Sequence, residues 1–163
     1  MFDHLISPHG GVLVDLFTNE DHQAELKAAS RDWPSHDLTA RQQCDLELVI
    51  SGGFSPLTGF LGQKDYERVC SEMRLADGTL WPIPITLDIP ESLATTLRPG
   101  INLALRDEEG VMIAVLAVED VWCPDRMVEA STVFGTTNEE HPGVAHLLSR
   151  TASHYVGGRV TAL

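Results

Sequence analysis

The sequence predicts an α+β domain in which helices pack against a curled sheet or a small mixed β-barrel. Its 163 residues, 43% of them hydrophobic and 21% charged, are enough to bury the core of one domain. Helical spacing of apolar residues marks the first half, and the alternation typical of strands appears in the second. Residues 111–118 are apolar without interruption, so this strand needs cover on both faces. We therefore expect a single domain over residues 1–163.

The first elements expected are a short strand and a helix. Residues 12–14 are Val-Leu-Val after two glycines, a pattern typical of a strand. Thr18 and Asp21 have the spacing of a helix cap, which predicts a helix over residues 19–30.

Two stronger helices follow. One begins at Thr39, whose hydroxyl can cap the helix while the Gln42 side chain reaches back, and the glycines at 52 and 53 end it. Another is expected over residues 64–73, where apolar residues up to Met73 recur at helical spacing.

The remaining chain is expected to contain strands and two short helices. Residues 83–89 alternate like a strand, and Pro82 and Pro84 place it at a sheet edge or leave it unpaired there, because proline lacks a backbone donor. Residues 101–105 lead through a four-residue turn ending in Gly110 into the strand at 111–118. Helices are expected over residues 126–134 and 143–149, and a last strand over residues 154–160.

Charge and composition exclude several classes of protein. Eleven lysines and arginines against 24 acidic residues give a net charge of −13, the wrong sign for binding nucleic acid. The longest apolar run has eight residues, far short of the roughly 20 that a membrane helix needs. There is no signal-peptide pattern, and three widely spaced cysteines suggest neither disulfides nor a zinc site. We expect a cytoplasmic protein.

The sequence contains no recognisable catalytic or metal-binding pattern. His141 and His146 are five residues apart with Pro142 between them, so they do not form a helical metal-binding pair. Structural or surface roles are favoured for the seven histidines. No carboxylate pair stands out among the acidic residues, and no serine lies in a G-x-S-x-G motif.

Two features indicate candidate docking residues. Residues 52–60 follow a helix and lack the lysine of a phosphate-binding loop. Their large apolar side chains need burial, either inside this domain or against a surface that this chain does not contain. Arg41 precedes Asp45 by one helical turn, near the N-terminal end where a cation opposes the macrodipole, so Arg41 either makes a tertiary contact or is a solvated surface residue. The candidate docking residues are Arg41, Asp45, Phe54, Ser55, Pro56, Leu57 and Phe60.

Short segments that span almost the whole chain carry a family resemblance. They are PHGG at 8–11 with LV at 13–14, LTARQQCDLEL at 38–48 leading to GGFSPL at 52–57, MRLADGTLWPIPITLD at 73–88, ALRD at 104–107, VFGT at 133–136, HPGV at 141–144 and YVGG at 155–158. Each segment alone is a weak signal, but in this order they resemble the N-terminal domain of the ATP sulfurylase (sulfate adenylyltransferase) family.

The resemblance implies a PUA-like fold, a small mixed β-barrel with flanking helices. It implies a parent enzyme that transfers AMP from ATP to sulfate, giving adenylyl sulfate and pyrophosphate, uses magnesium with the nucleotide and forms homo-oligomers. The family's nucleotide-binding motifs, Gln-x-Arg-Asn-Pro and H-x-x-H, lie in a later domain and do not occur in this sequence. We therefore expect no catalytic, cofactor-binding or metal-binding residue here, and no activity from this chain alone.

The expected function is then structural. The domain would pack against the C-terminal catalytic domain of the parent and aid its oligomerisation, with the candidate docking residues as the interdomain surface. Two alternatives stay open: a PUA-like RNA-binding module, which the net charge disfavours, and a standalone scaffold or regulatory protein.

Overall fold

A mixed six-stranded sheet lies at the centre of the computed structural model, which describes residues 5–163. The strands are β1 (Ser35–Asp37), β2 (Gly59–Phe60), β3 (Leu87–Ile89), β4 (Asn102–Arg106), β5 (Met112–Trp122) and β6 (His154–Ala162). Their order is β1-β4-β5-β6-β2, and β3 also pairs with β6. β1 runs parallel to β4, whereas the other pairs are antiparallel. β6 is therefore the strand through which β2 and β3 join the rest of the sheet.

Six α-helices surround this sheet in the described part of the chain. They are α1 (Glu20–Ala29), α2 (Ala40–Ile50), α3 (Gln63–Glu72), α4 (Glu91–Ala94), α5 (Arg126–Val133) and α6 (Pro142–Ser149). A 3₁₀ turn at Ser30–Asp32 follows α1 directly.

The α+β class is confirmed, but the sheet is not a closed barrel. Within residues 5–163 no ladder joins β1 to β2 or β3, so the strand path stays open. Closure requires edge strands that pair along their length, and β1 and β2 have only three and two residues.

β5 is covered on both faces, as its uninterrupted apolar sequence predicts. Leu116 and Val118 belong to the main core, which α2 and α3 also enter. Val115 belongs to a second cluster on the other face, where Leu26 and Trp33 pack against it. The cover on this second face comes from α1 and the segment after it.

Local signals place several element boundaries. The capping box at Thr39 and Gln42 is present at the start of α2. Gly110 has a φ of 82°, and its N–H donates to the Asp107 carbonyl at 3.0 Å, which closes the predicted hairpin turn. α5, α6 and β6 lie within two residues of their predicted limits.

Two helix termini differ from expectation. α1 is capped by Asn19, whose Oδ1 accepts from the His22 N–H at 2.9 Å, and not by Thr18. Met73 follows the end of α3 with a left-handed φ of 54° and is exposed, so it does not extend the buried stripe as predicted.

Two strand predictions fail wholly or in part. Residues 12–14 form no strand: the Val14 N–H donates to Ser55 Oγ at 2.9 Å, and this N-terminal segment meets the sheet later, where Phe17 bridges Ala162. Of residues 83–89 only Leu87–Ile89 pairs, because Pro82 and Pro84 lack the donors that a ladder needs. The edge position is confirmed. α4, β1 and β2 are short elements that the sequence pattern did not predict.

Candidate functional site

A cleft of about 620 Å³ opens between the first turns of α2, the extended residues 83–88 and the two helices α5 and α6. Its ionisable lining residues are Arg41, Asp45, Asp88, Glu129, His146, Arg150 and Tyr155. Two of the seven candidate docking residues, Arg41 and Asp45, are therefore part of this cleft.

Gln42 holds one wall of the cleft in place. Its Oε1 accepts from the Thr39 N–H at 2.9 Å, as the capping box requires. Its Nε2 donates to the backbone carbonyl and to Oδ1 of Asp88, both at 2.8 Å. Asp88 Oδ2 in turn accepts from the Ala152 N–H at 2.7 Å. The Gln42 amide thus ties the start of α2 to strand β3, and the Asp88 carboxylate ties β3 to the segment before β6.

A carboxyl group that accepts hydrogen bonds from two tyrosines lies in the buried part of the cleft. Glu129 is 6% exposed, and its Oε2 accepts from Tyr66 Oη at 3.0 Å and Tyr155 Oη at 2.9 Å. The Trp122 ring packs edge-on against Tyr155, with 5.7 Å between ring centroids. Both tyrosine hydroxyl groups thus find their hydrogen-bond partner in one carboxylate oxygen, as buried tyrosines usually do.

Burial determines the protonation state of this group of side chains. It raises the pKa of Glu129, against the two tyrosine hydrogen bonds, which act in the opposite direction. Burial, and after it the charge of Glu129, raises the pKa of Tyr66 and Tyr155. The same two causes raise the pKa of the Cys70 thiol to about 12. The phenols and this thiol are therefore protonated at neutral pH, which makes them hydrogen-bond donors and poor nucleophiles.

The mouth of the cleft carries the exposed ions. Arg41 Nε lies 4.0 Å from Asp45 Oδ2, with side-chain exposures of 64% and 23%. Burial raises the pKa of Asp45, and the Arg41 charge opposes that rise. Burial, followed by the Arg41 charge, lowers the pKa of His146. An ion pair of this length and exposure stabilises the fold little, so Arg41 has capacity for another contact.

Residues 52–60 lie outside the cleft and are mostly buried in their own domain. Leu57 and Phe60 belong to the main core. Ser55 is buried, where Oγ donates to the Gly52 carbonyl at 2.7 Å. Phe54 packs edge-on against Trp81, with 5.9 Å between ring centroids. Of the two alternatives for the apolar side chains of this segment, burial inside the domain holds for Leu57 and Phe60, and a docking role for the segment stays a prediction.

The sequence signals missed Glu129 and its tyrosines. Glutamate in a helix is usually exposed, so nothing marked Glu129 as part of a site. One usable signal was its spacing: Glu129 precedes Val133 by four residues, which places the two side chains on the same face of α5. His141, in contrast, has a structural role, since its Nδ1 accepts from the Gly143 N–H at 3.2 Å and caps α6.

Residues 5–163 contain neither a metal-binding cluster nor a membrane-spanning helix. No group of three or more His, Cys, Asp or Glu side chains is arranged to hold a metal ion. None of the helices described is long and apolar enough to cross a lipid bilayer.

Comparison with known proteins matches nearly the whole chain. The sequence profile of the PUA-like domain family matches residues 6–163. Sulfate adenylyltransferases of Eremothecium gossypii, Saccharomyces cerevisiae and Kluyveromyces lactis are 43%, 44% and 47% identical to this chain over 96–98% of its length. The chain spans only about a third of those relatives, between 31% and 32% of their length.

A solved structure shares the fold. The hexameric APS kinase from Thiobacillus denitrificans superposes with a TM-score of 0.74 and 37% sequence identity. The match covers 97% of this chain and 27% of that protein.

Proposed function

This chain belongs to the PUA-like domain family, and we propose that it is the N-terminal, non-catalytic domain of a sulfate adenylyltransferase. The parent enzyme would transfer AMP from ATP to sulfate and release pyrophosphate. The observation that carries this proposal is identity of 43–47% with sulfate adenylyltransferases along almost the entire chain.

Three properties support a division of labour in which chemistry belongs to the rest of the parent. The substrates ATP and sulfate are anions, and this domain carries a net charge of −13. The buried phenols and the Cys70 thiol have raised pKa values, so they are not poised to attack an electrophile. The relatives are about three times as long as this chain, which leaves room for a catalytic domain.

Asp88 and Glu129, the two hydrogen-bonded carboxylates of the cleft, do not fit a magnesium ion. Both carboxylate oxygens of Asp88 already accept hydrogen bonds, and Glu129 Oε2 accepts two. Hard divalent cations need several free oxygen ligands together, so no step of the parent reaction is assigned to a metal held here.

The domain would act by packing against its catalytic neighbour and by aiding assembly of a homo-oligomer in the cytoplasm. Arg41 and Asp45 at the mouth of the cleft are exposed or half-buried and suit a polar interdomain contact. The RNA-binding alternative lacks support, because the basic residues are few and scattered. A standalone scaffold is the remaining alternative.

The test compares this chain with the polypeptide encoded by the complete gene. Sulfate-dependent release of pyrophosphate from ATP is expected from the longer polypeptide and not from this chain, with heat-killed protein as the blank. Pyrophosphate release by this chain above that blank would refute the non-catalytic role. A stop codon directly after Leu163 would refute the parent enzyme and favour the scaffold.

A further inference from the structure

We propose that an apolar groove between Phe17 and α2 is the docking surface for the polypeptide that follows Leu163 in the parent enzyme. This proposal rests on the function proposed above, since it requires a longer polypeptide. We call this surface the α2 groove; it is lined by Phe17, Cys44, Glu47, Leu48, Ile50 and Ser51.

The α2 groove exposes large apolar side chains next to each other. Phe17 is 57% exposed and Leu48 is 42% exposed, while Cys44 is also exposed. The concavity has a volume of about 540 Å³, and Glu47 is its one ionisable acid. Single exposed apolar residues are ordinary on protein surfaces, but a contiguous concave set is typical of an interaction site.

Burial of the opposite face of α2 shows why these residues remain outside. Leu46 and Val49 are fully buried in the main core, so α2 already uses one face for the domain. Leu48 lies on the other side of the helix, where a soluble domain normally carries polar residues. Ile50 packs partly against that core, whereas Phe17 and Leu48 provide apolar surface that the core of this domain does not use.

The route of the backbone indicates the occupant. The Ala162 N–H donates to the Leu16 carbonyl at 2.9 Å, and the Thr18 N–H donates to the Ala162 carbonyl at 3.1 Å. These two bonds hold the end of β6 directly against Phe17, the residue between them in sequence. Any polypeptide that continues beyond Leu163 starts one residue from the bridge to Phe17, which forms one wall of the α2 groove, so a surface linked there meets the groove at high effective concentration.

Two cysteine side chains of this chain can report whether the α2 groove is covered. Cys44 lies in the α2 groove and is exposed, whereas Cys123 is exposed elsewhere. Both thiols are expected to react readily with a maleimide in this chain by itself. In the catalytically active parent, the labelling rate of Cys44 relative to Cys123 is expected to fall by about tenfold or more, because docking closes the groove. Peptide mapping by mass spectrometry separates these thiols from others in the parent.

The outcomes separate this proposal from the function on which it rests. If the parent makes adenylyl sulfate but Cys44 reacts as fast as in this chain, the docking proposal is overturned and the function stands. If the parent has no activity, the proposed function fails. If Cys44 is protected only at concentrations at which subunits associate, a second copy covers the groove and the proposal is overturned.

A pair of variants provides a second measurement. Leu48→Gln places an amide in the groove, and Val128→Gln makes the same type of change at a residue on α5 that is 52% exposed. Neither change is expected to lower the Tm of this chain, because both side chains face solvent. In the parent, Leu48→Gln is expected to lower the Tm and restore the labelling of Cys44, while Val128→Gln does neither. Equal behaviour of the two variants in the parent would contradict the proposal.

Discussion

Glu129 illustrates how burial changes the behaviour of a single carboxyl group. Burial raises its pKa, and a carboxyl with a raised folded-state pKa stabilises the fold fully only below its unfolded pKa of about 4.3. That contribution is lost as the pH rises through the folded-state pKa. The tyrosine bonds reduce the loss but do not cancel it.

The variant Glu129→Gln tests this effect. It keeps an acceptor oxygen for Tyr66 and Tyr155 and removes the ionisation. Relative to the native chain, its free energy of unfolding is expected to rise between about pH 5 and about pH 8, by at most about 1.4 kcal/mol per pH unit. Urea unfolding at the two pH values measures this difference. Glu119→Gln, at an exposed position, is the control, and a pH-independent difference for Glu129→Gln would contradict the interpretation.

Gly59 allows a second prediction at single-residue resolution. A Cβ on Gly59 would overlap the Gly158 carbonyl oxygen across the pair of β2 and β6. Gly59→Ala is therefore expected to lower the free energy of unfolding by about 2 kcal/mol, the scale of an overpacked core. In Gly53→Ala the nearest atom is the end of the flexible Leu48 side chain, so little change is expected. Thermal unfolding measures the Tm of both variants, and a similar Tm for the two would refute the steric argument.

At the scale of elements, α2 combines a local cap with a long-range anchor. Thr39→Ala removes only the cap and is expected to cost about 1 kcal/mol. Gln42→Ala also leaves Asp88 without two hydrogen bonds inside the fold, and loss of buried partners costs about 1–3 kcal/mol. Gln42→Ala is thus expected to be the more destabilising change in urea unfolding. The reverse order would mean that the contacts to Asp88 contribute nothing.

The elements that sequence predicts well are those fixed by nearby residues. The capping box of α2 and the turn at Gly110 depend on contacts within a few positions, so their patterns were sufficient. β1 and β2 consist of three and two residues held by partners more than 60 positions away, and no local pattern reports such contacts. The strand wrongly expected at residues 12–14 has the converse problem: the local pattern is that of a strand, but the Val14 N–H donates to Ser55 Oγ and no strand forms there.

The residues of the candidate site likewise divide into those marked by nearby sequence and those brought together only by the fold. Arg41 and Asp45 were found because they lie one helical turn apart and because the Arg41 charge, near the N-terminal end of the helix, opposes the macrodipole. Glu129, Tyr66 and Tyr155 meet only after α3, α5 and β6 are assembled, so the sequence could not bring them together.

For the whole molecule, the charge of −13 gives a test of the RNA-binding alternative. Binding to phosphates requires release of counterions by lysine and arginine. Micromolar protein is therefore expected to leave the mobility of labelled single-stranded and duplex RNA unchanged at low salt. A basic RNA-binding domain serves as the positive control. A shift that disappears as salt is added would restore the RNA-binding module as a candidate.

The position of β6 at the junction of the sheet also determines when the domain can assemble during synthesis. β2 and β3 pair only with a strand that the ribosome makes about 65 to 100 residues later. Until residues 154–162 have left the exit tunnel, those segments and the exposed edge of β5 lack their partners, and such long-range pairing is slow to form. Translation of this domain therefore includes an interval in which a nascent chain with an unpaired β5 is vulnerable to aggregation and is a client for chaperones.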